Sequence, residues 1–265
     1  MIRILLMLIT VLFATHSNAE MMRMAVTTSF NNSGLSEKLL PAIQSDLGLE
    51  VQLLIVGTGQ AIRLGEAGDV DAILVHSKKA EEAFVAAGYG THRREIMYND
   101  FVIIGPADDP ANIRDANSAA EALRAIATSQ SLFVSRGDDS GTHKKELSLW
   151  SSAGIKDADL GSWYRAVGAG MGASLNTAAG MGAYILSDRA SWLNFKNKTG
   201  LGIQFSGDPV LFNQYAYLPV NPQRHAHVKH DLAVKLETWL TSQRAAEIIN
   251  AYTIDNQTLF TFNAK

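Results

Sequence analysis

The 265-residue chain contains no cysteine, which excludes a disulfide framework, a Cys-ligated zinc, an iron–sulfur cluster and a thiol nucleophile. Proline is scarce at 6 residues, and charged residues make up 18% against 47% hydrophobic ones. A disordered tail, a collagen-like repeat or a long coiled coil would need a different composition. Positive charge is not in excess either: the formal net charge of −3 leaves no basic footprint for a nucleic acid. The sequence has no internal repeat and no low-complexity tract. After the first residues no stretch is long and apolar enough for a transmembrane helix.

The start of the chain has an apolar run. Arg3 precedes Ile4 to Ala14, and Ser17-Asn18-Ala19 follows with small residues. A positive start, an apolar stretch of about ten residues and a small-x-Ala exit predict a secretory signal peptide over 1–19. The run is too short to span a bilayer, which takes ~20 residues. The exported chain then begins near Glu20, without Arg3, and its expected location is periplasmic. Export without cysteine leaves packing alone to hold the fold together.

From there β-rich runs alternate with helical spacing. Strands are expected at 23–29, 50–56 and 71–75, and helices near 35–47, 61–67 and 78–87. Pro41 predicts a break or kink in the first helix. The near-continuous apolar character of the strands predicts a parallel sheet covered on both faces, and the alternation predicts an α/β fold. The run 94–106 reads as one long strand, or as two strands with a crossing between domains. A second α/β unit opens after it, with helices at 118–129 and 142–153 and strands at 131–135 and 183–187. The run 210–220 returns, and a helical region covers 228–252. Two βα units joined by two long extended segments predict two lobes with a cleft between them.

Chemistry concentrates where strands turn into helices. Four such turns are rich in Ser, Thr and Gly: Thr27-Thr28-Ser29 with Ser33-Gly34, Gly57 to Gln60, Ser135 to His143, and Gly168 to Gly172. In an open α/β sheet ligands bind at the carboxyl ends of the strands, where free amides and the helix dipole hold anions. Arg136 follows a strand and precedes a capping turn, and its planar fork suits an oxyanion. Each feature also has a plainer explanation. Arg136 pairs at the surface with Asp138 or Asp139 in that view, Thr28 and Ser29 merely cap a helix, and Thr58 and Gln60 have no ligand role.

Several of these segments resemble the tungstate-binding (TupA-like) family of ABC-transporter substrate-binding proteins. They are Thr27-Thr28-Ser29 with Ser33-Gly34-Leu35, Val56 to Ala61, Gly65 to Asp71, Met97 to Pro106, Ser135 to His143, Gly170-Met171-Gly172 and Ser187-Asp188-Arg189. The resemblance implies a two-lobed type II periplasmic-binding-protein fold with two crossing segments. It implies capture of tungstate, or molybdate, for delivery to a membrane permease. The stretch from Ser135 to Thr142 also resembles the anion loop of phosphate-binding proteins. Departures from the family pattern are Val26 in place of a threonine, Phe30, Ala169 in place of a glutamine, and Ala179-Gly180 in place of acidic residues. Val26 is expected to belong to the buried strand.

The resulting expectation is a monomeric binding protein, not an enzyme, with no cofactor and no metal cation. Lobe 1 comprises 20–102 plus 211–265, and lobe 2 comprises 103–210. Thr28, Ser29 and Thr58 act on the anion from lobe 1. Arg136, Ser140, Gly141 and Thr142 act from lobe 2, with Gly170, Met171 and Gly172 adding backbone donors. A fully ionised dianion only accepts hydrogen bonds, so Asp138 and Asp139 must point away from it and orient Arg136 or cap the next helix. Molybdate, sulfate or phosphate are alternative ligands of the same architecture. An exported hydrolase using Ser29, Ser135 or Ser140 with His76 or His143 is the alternative from another class. Less favoured are a metal site at His225, His227 and His230, a soft-metal site at Met21, Met22 and Met24, and a sugar cleft lined by Trp150, Trp163, Tyr164 and Trp192; solvated loop, frayed terminus and core packing are expected instead.

Overall fold

The computed structural model describes residues 20–156 and 160–265; the segment assigned to a signal peptide lies outside them. No helix among the described residues is long and apolar enough to cross a membrane. Strand β1 (Glu20–Thr27) lies between β2 (Leu49–Val56) and β3 (Ala72–Val75), parallel to both. Helices α1 (Thr28–Asn32), α2 (Ser36–Leu47) and α3 (Thr58–Ala67) provide the connections, and α4 (Lys78–Ala86) follows β3. The second parallel group is β5 (Phe133–Ser135) between β6 (Tyr164–Ala166) and β7 (Tyr184–Asp188), with α5 (Ala119–Ser129), α6 (Gly141–Ser152) and α7 (Met171–Met181) around it. Helix α8 (Arg189–Asn194) follows β7 directly.

One strand joins the two groups. The 13-residue β4 (Arg94–Pro106) pairs through its first half with β9 (Phe212–Pro219) and through its second half with β7 and β8 (Leu201–Phe205), all antiparallel. Strand β9 also pairs antiparallel with β3, so the sheet is continuous and mixed in the order β2-β1-β3-β9-β4-β7-β5-β6. The expected all-parallel sheet therefore holds within each group but not across the crossing strands. These run between groups of opposite direction and must meet them head to tail. Helices α9 (His230–Leu240) and α10 (Gln243–Ala251) and short strands β10 (Thr253–Ile254), β11 (Gln257–Thr258) and β12 (Thr261–Phe262) close the chain, β12 pairing with β4.

In detail, the structure corrects some sequence expectations and meets others. Helix α2 runs unbroken through Pro41; the proline removes one helical amide, while buried Leu39, Ala42 and Ile43 hold the helix to the core. The N-terminal methionines are not a frayed end, because Met22 and Met24 are buried in β1. Val26 is likewise buried in β1. The tryptophans pack as core: Trp150 meets Phe133 edge-on at 5.1 Å and Trp163 at 5.7 Å, contacts that add about 0.5–1.5 kcal/mol per pair beyond burial. His225 and His227 place Nε2 at 2.8 and 2.9 Å from the carbonyls of Glu66 and Gly68, and His230 Nδ1 lies 3.3 Å from the Val220 carbonyl, so the imidazoles staple loops together.

Candidate anion site

The carboxyl ends of β1, β2, β3, β5 and β7 carry Thr27, Val56, Val75, Ser135 and Asp188, and the polar residues beside them build the site. Thr27, not Thr28 or Ser29, is the N-cap of α1; its Oγ1 accepts from Phe30 N at 3.2 Å. Ser29 is thereby free of capping. Its Oγ lies 3.0 Å from Thr27 Oγ1, 2.9 Å from His76 Nε2 and 3.2 Å from Tyr215 OH, all in buried surroundings. Thr28 opens α1 and is half-buried.

From the other group, Ser140 caps α6, its Oγ accepting from His143 N at 3.0 Å, an arrangement worth about 1 kcal/mol. Gly141 N donates to Thr58 Oγ1 at 3.0 Å, and Gly59 N donates to the Asp139 carbonyl at 3.2 Å. These two bonds bring the N-termini of α3 and α6 together. They occupy the Gly141 amide, while Thr58, as acceptor, keeps its own hydroxyl proton.

Arg136 is 3% exposed, so the ion pair it makes is not a surface one. Its Nη2 donates to Asp138 Oδ2 at 2.6 Å, and Asp138 Oδ1 accepts from Ser140 N at 3.3 Å. Asp139 turns elsewhere: it accepts from Lys144 at 2.6 Å and from Arg63 at 3.1 Å, and the Lys144 and Arg63 bonds hold its carboxyl below the usual range. Asp138 thus orients Arg136 as expected, whereas Asp139 neither orients Arg136 nor caps α6 but pairs with Lys144 and Arg63. Arg136 Nε and Thr142 Oγ1 are buried with no hydrogen-bond partner. Leaving a buried donor unmatched costs about 1–3 kcal/mol, more for a charged group.

Gly170 is the N-cap of α7, and Gly172 is exposed beside it. Met171 buries its side chain in the core, leaving only its backbone to act. This turn attaches to the others through Ala169 N, which donates to the Arg136 carbonyl at 3.1 Å.

Sequence reasoning missed three groups as members of this cluster. His76 was named only as a base for hydrolysis; Tyr215 and Asp188 were given no site role. His76 obeys the same grammar as the chosen residues, a polar side chain directly after a strand, but a lone histidine there is uninformative. Tyr215 comes from β9, distant in sequence. Burial pushes the Asp188 carboxyl up to about 6 against the pull of Ser191 and Arg136; its Oδ1 accepts from Ser191 N at 2.9 Å, while Oδ2 is buried without a partner.

Among the described residues the hydrolase alternative finds two serine–histidine pairs, at Ser29–His76 and Ser135–His143, and no relay. His76 Nδ1, opposite the nitrogen near Ser29, has no partner. His143 meets Ser135 at 3.2 Å and Glu146 at 4.0 Å through the same Nδ1, whereas a triad needs its base oriented through the other nitrogen.

Comparison with known proteins gives the family. A PBP superfamily domain matches residues 14–244, and the tungstate-binding protein TupA of Peptoclostridium acidaminophilum is 45% identical over 231 residues, 86% of this chain and 80% of that one. The chain belongs to the tungstate-binding family of the PBP superfamily. The structure of the tungstate-binding protein TupA from Desulfovibrio alaskensis G20 superposes with a TM-score of 0.82 at 44% identity, over 93% of this chain and 100% of that one. The tungstate ABC transporter structure from Geobacter sulfurreducens gives 0.81 at 49% identity, over 88% and 99%. This family member thus has the two-lobed α/β fold that its crossing strands predict.

Proposed function

We propose that the protein is the extracytoplasmic substrate-binding component of an ABC importer and captures a tetrahedral oxyanion, tungstate foremost, between its lobes. The observation that carries this reading is the buried Arg136, clamped on one side by Asp138 and left with an unpartnered Nε, while the Thr142 hydroxyl at the start of α6 is buried and unpartnered too. A dianion that only accepts hydrogen bonds fits such donors. Ser140 and Thr58, each already accepting from an amide, keep their hydroxyl protons for it. The names of the relatives support tungstate.

In this reading lobe 1 is 20–102 plus 211–265 and lobe 2 is 103–210. The anion meets the donors of one lobe first, and closure adds those of the other. Exclusion of water then strengthens each hydrogen bond. Thr28, Ser29 and Thr58 act from lobe 1; Arg136, Ser140 and Thr142 act from lobe 2; the amides of Gly170 to Gly172 complete the shell. The Gly141 amide, engaged with Thr58, serves closure. The chain is exported, works as a monomer, passes its cargo to a permease and catalyses no reaction. Calorimetry of residues 20–265 against tungstate, molybdate, sulfate and phosphate tests this: tungstate or molybdate binds tightest, and tighter binding of phosphate would reassign the ligand.

A further inference from the structure

His76 stands at the junction of the two lobes, and its part in binding follows from counting protons. Ser29 Oγ carries one hydrogen and has three polar neighbours, Thr27, His76 and Tyr215. A neutral imidazole has one N–H. With that hydrogen on Nε2, the ring donates to Ser29 and leaves the serine proton for an anion. With it on Nδ1, Nε2 takes the serine proton, and Ser29 has nothing to offer a dianion. The ring also touches the opposite lobe: a Cβ on Gly141 would lie 2.6 Å from His76 Cε1 and 2.8 Å from Nδ1. Tyr215 and Phe101 hold the ring with centroids at 4.8 and 6.1 Å.

We infer that His76 is a positioning residue for oxyanion capture, whose Nε2–H keeps Ser29 a donor and whose uncharged ring forms the surface on which Gly141 closes. The inference rests on the oxyanion reading above. It goes beyond it by making the charge of one side chain outside the donor set a condition of closure.

The ring faces Ser29 from α1, Phe101 from β4, Gly141 from α6, Asn213 and Tyr215 from β9, and the Arg136 guanidinium from the loop after β5, and it shares a groove with Lys78 and Lys79 of α4 and Lys144 and Lys145 of α6. Asp188 acts on Tyr215 and is itself acted on by Arg136. Burial first, and Arg136 second, hold His76 down to about 4. A ring exposed by an open cleft returns toward the ordinary value of about 6.5. Closure below that pH must then expel a proton, so affinity falls as pH falls from about 6.5 toward 4. His76 also lines a groove of about 710 Å³ between α4 and α6.

The test is calorimetric titration of tungstate into residues 20–265 as wild type, His76→Gln and His76→Leu, at pH 7.5 and pH 5.0. Glutamine keeps an N–H donor near the Nε2 position and does not titrate; leucine keeps the bulk and loses the donor. At pH 7.5 the glutamine variant is expected within a few-fold of wild type, and the leucine variant roughly tenfold or more weaker. The ratio of wild-type Kd to glutamine-variant Kd is expected to rise roughly tenfold or more at pH 5.0. In that ratio the titration of Asp188, His143 and the anion cancels. A constant ratio, or a leucine variant that binds like wild type, overturns the inference. Equal losses in both variants at pH 7.5 reduce His76 to packing and overturn it too. Wild type that binds none of tungstate, molybdate, sulfate and phosphate at pH 7.5 overturns the oxyanion reading and the inference together. Binding of another of the four, with the same His76 dependence, leaves the inference standing and changes only the ligand.

Discussion

Thr58 Oγ1 accepts the Gly141 amide at 3.0 Å, tying the first turn of α3 to the first turn of α6. The approach is close because residue 141 has no side chain. A Cβ there would lie 2.6 Å from His76 and 2.9 Å from Thr58 Oγ1, and both are buried. Gly141→Ala is therefore expected to hinder closure and raise the tungstate Kd at least tenfold, about 1.4 kcal/mol. The melting temperature without anion should not fall, since alanine suits a helix better than glycine. A wild-type Kd in this variant would show that the contact does not govern binding.

Arg136 provides the charge. Its loss should cost at least about 1.5 kcal/mol of binding, the usual worth of a hydrogen bond to a charged group. Arg136→Lys retains the charge and loses the planar fork, so it should recover only part of the affinity. Titration of both variants checks this, and an unchanged affinity in Arg136→Ala removes the residue from the site.

Across the same junction the Arg63–Asp139 pair is exposed, with side-chain exposures of 57% and 51%. Such pairs contribute about 0–1 kcal/mol. Arg63→Ala should thus change tungstate affinity less than fivefold, and the change should shrink in high salt. A large, salt-independent loss would contradict that ranking of amide bonds over the ion pair.

Asp188 gives a pH signature in stability. Burial pushes its folded carboxyl up to about 6, above the ordinary value of 3.8. Between those values the folded state holds the extra proton, so this group's contribution is least favourable above pH 6 and improves as pH falls toward 3.8. Asparagine caps helices about as well as aspartate. Asp188→Asn should therefore melt at a higher temperature than wild type at pH 7.5, with the advantage fading by pH 4.5. Melting curves at the two pH values decide it, and a pH-independent difference would contradict the assignment.

Much of this molecule was legible in its residues because each parallel strand ends in a polar turn with a recognisable cap. Ser140, Gly141 and Thr142 opened a helix as their order predicts, and the apolar runs marked the strands. Two kinds of feature escaped. The crossings at 94–106 and 210–220 were expected, but the antiparallel pairing of β4 with β9 depends on where distant segments meet, which local periodicity does not encode. Tyr215 and Asp188 entered the polar cluster the same way, through contacts at long sequence separation. The helix cap falls on Thr27 rather than on Thr28 or Ser29, which leaves Ser29 for its hydrogen bonds with His76 and Tyr215.

The central claim is that donors from both lobes surround one dianion, and anomalous diffraction at a tungsten edge from crystals of the complex tests it most directly. The account predicts a single strong tungsten peak within hydrogen-bonding range of Arg136 and Thr142 on one side and Ser29 and Thr58 on the other. A peak in the lysine-rimmed groove between α4 and α6, or on the outer surface, would contradict it.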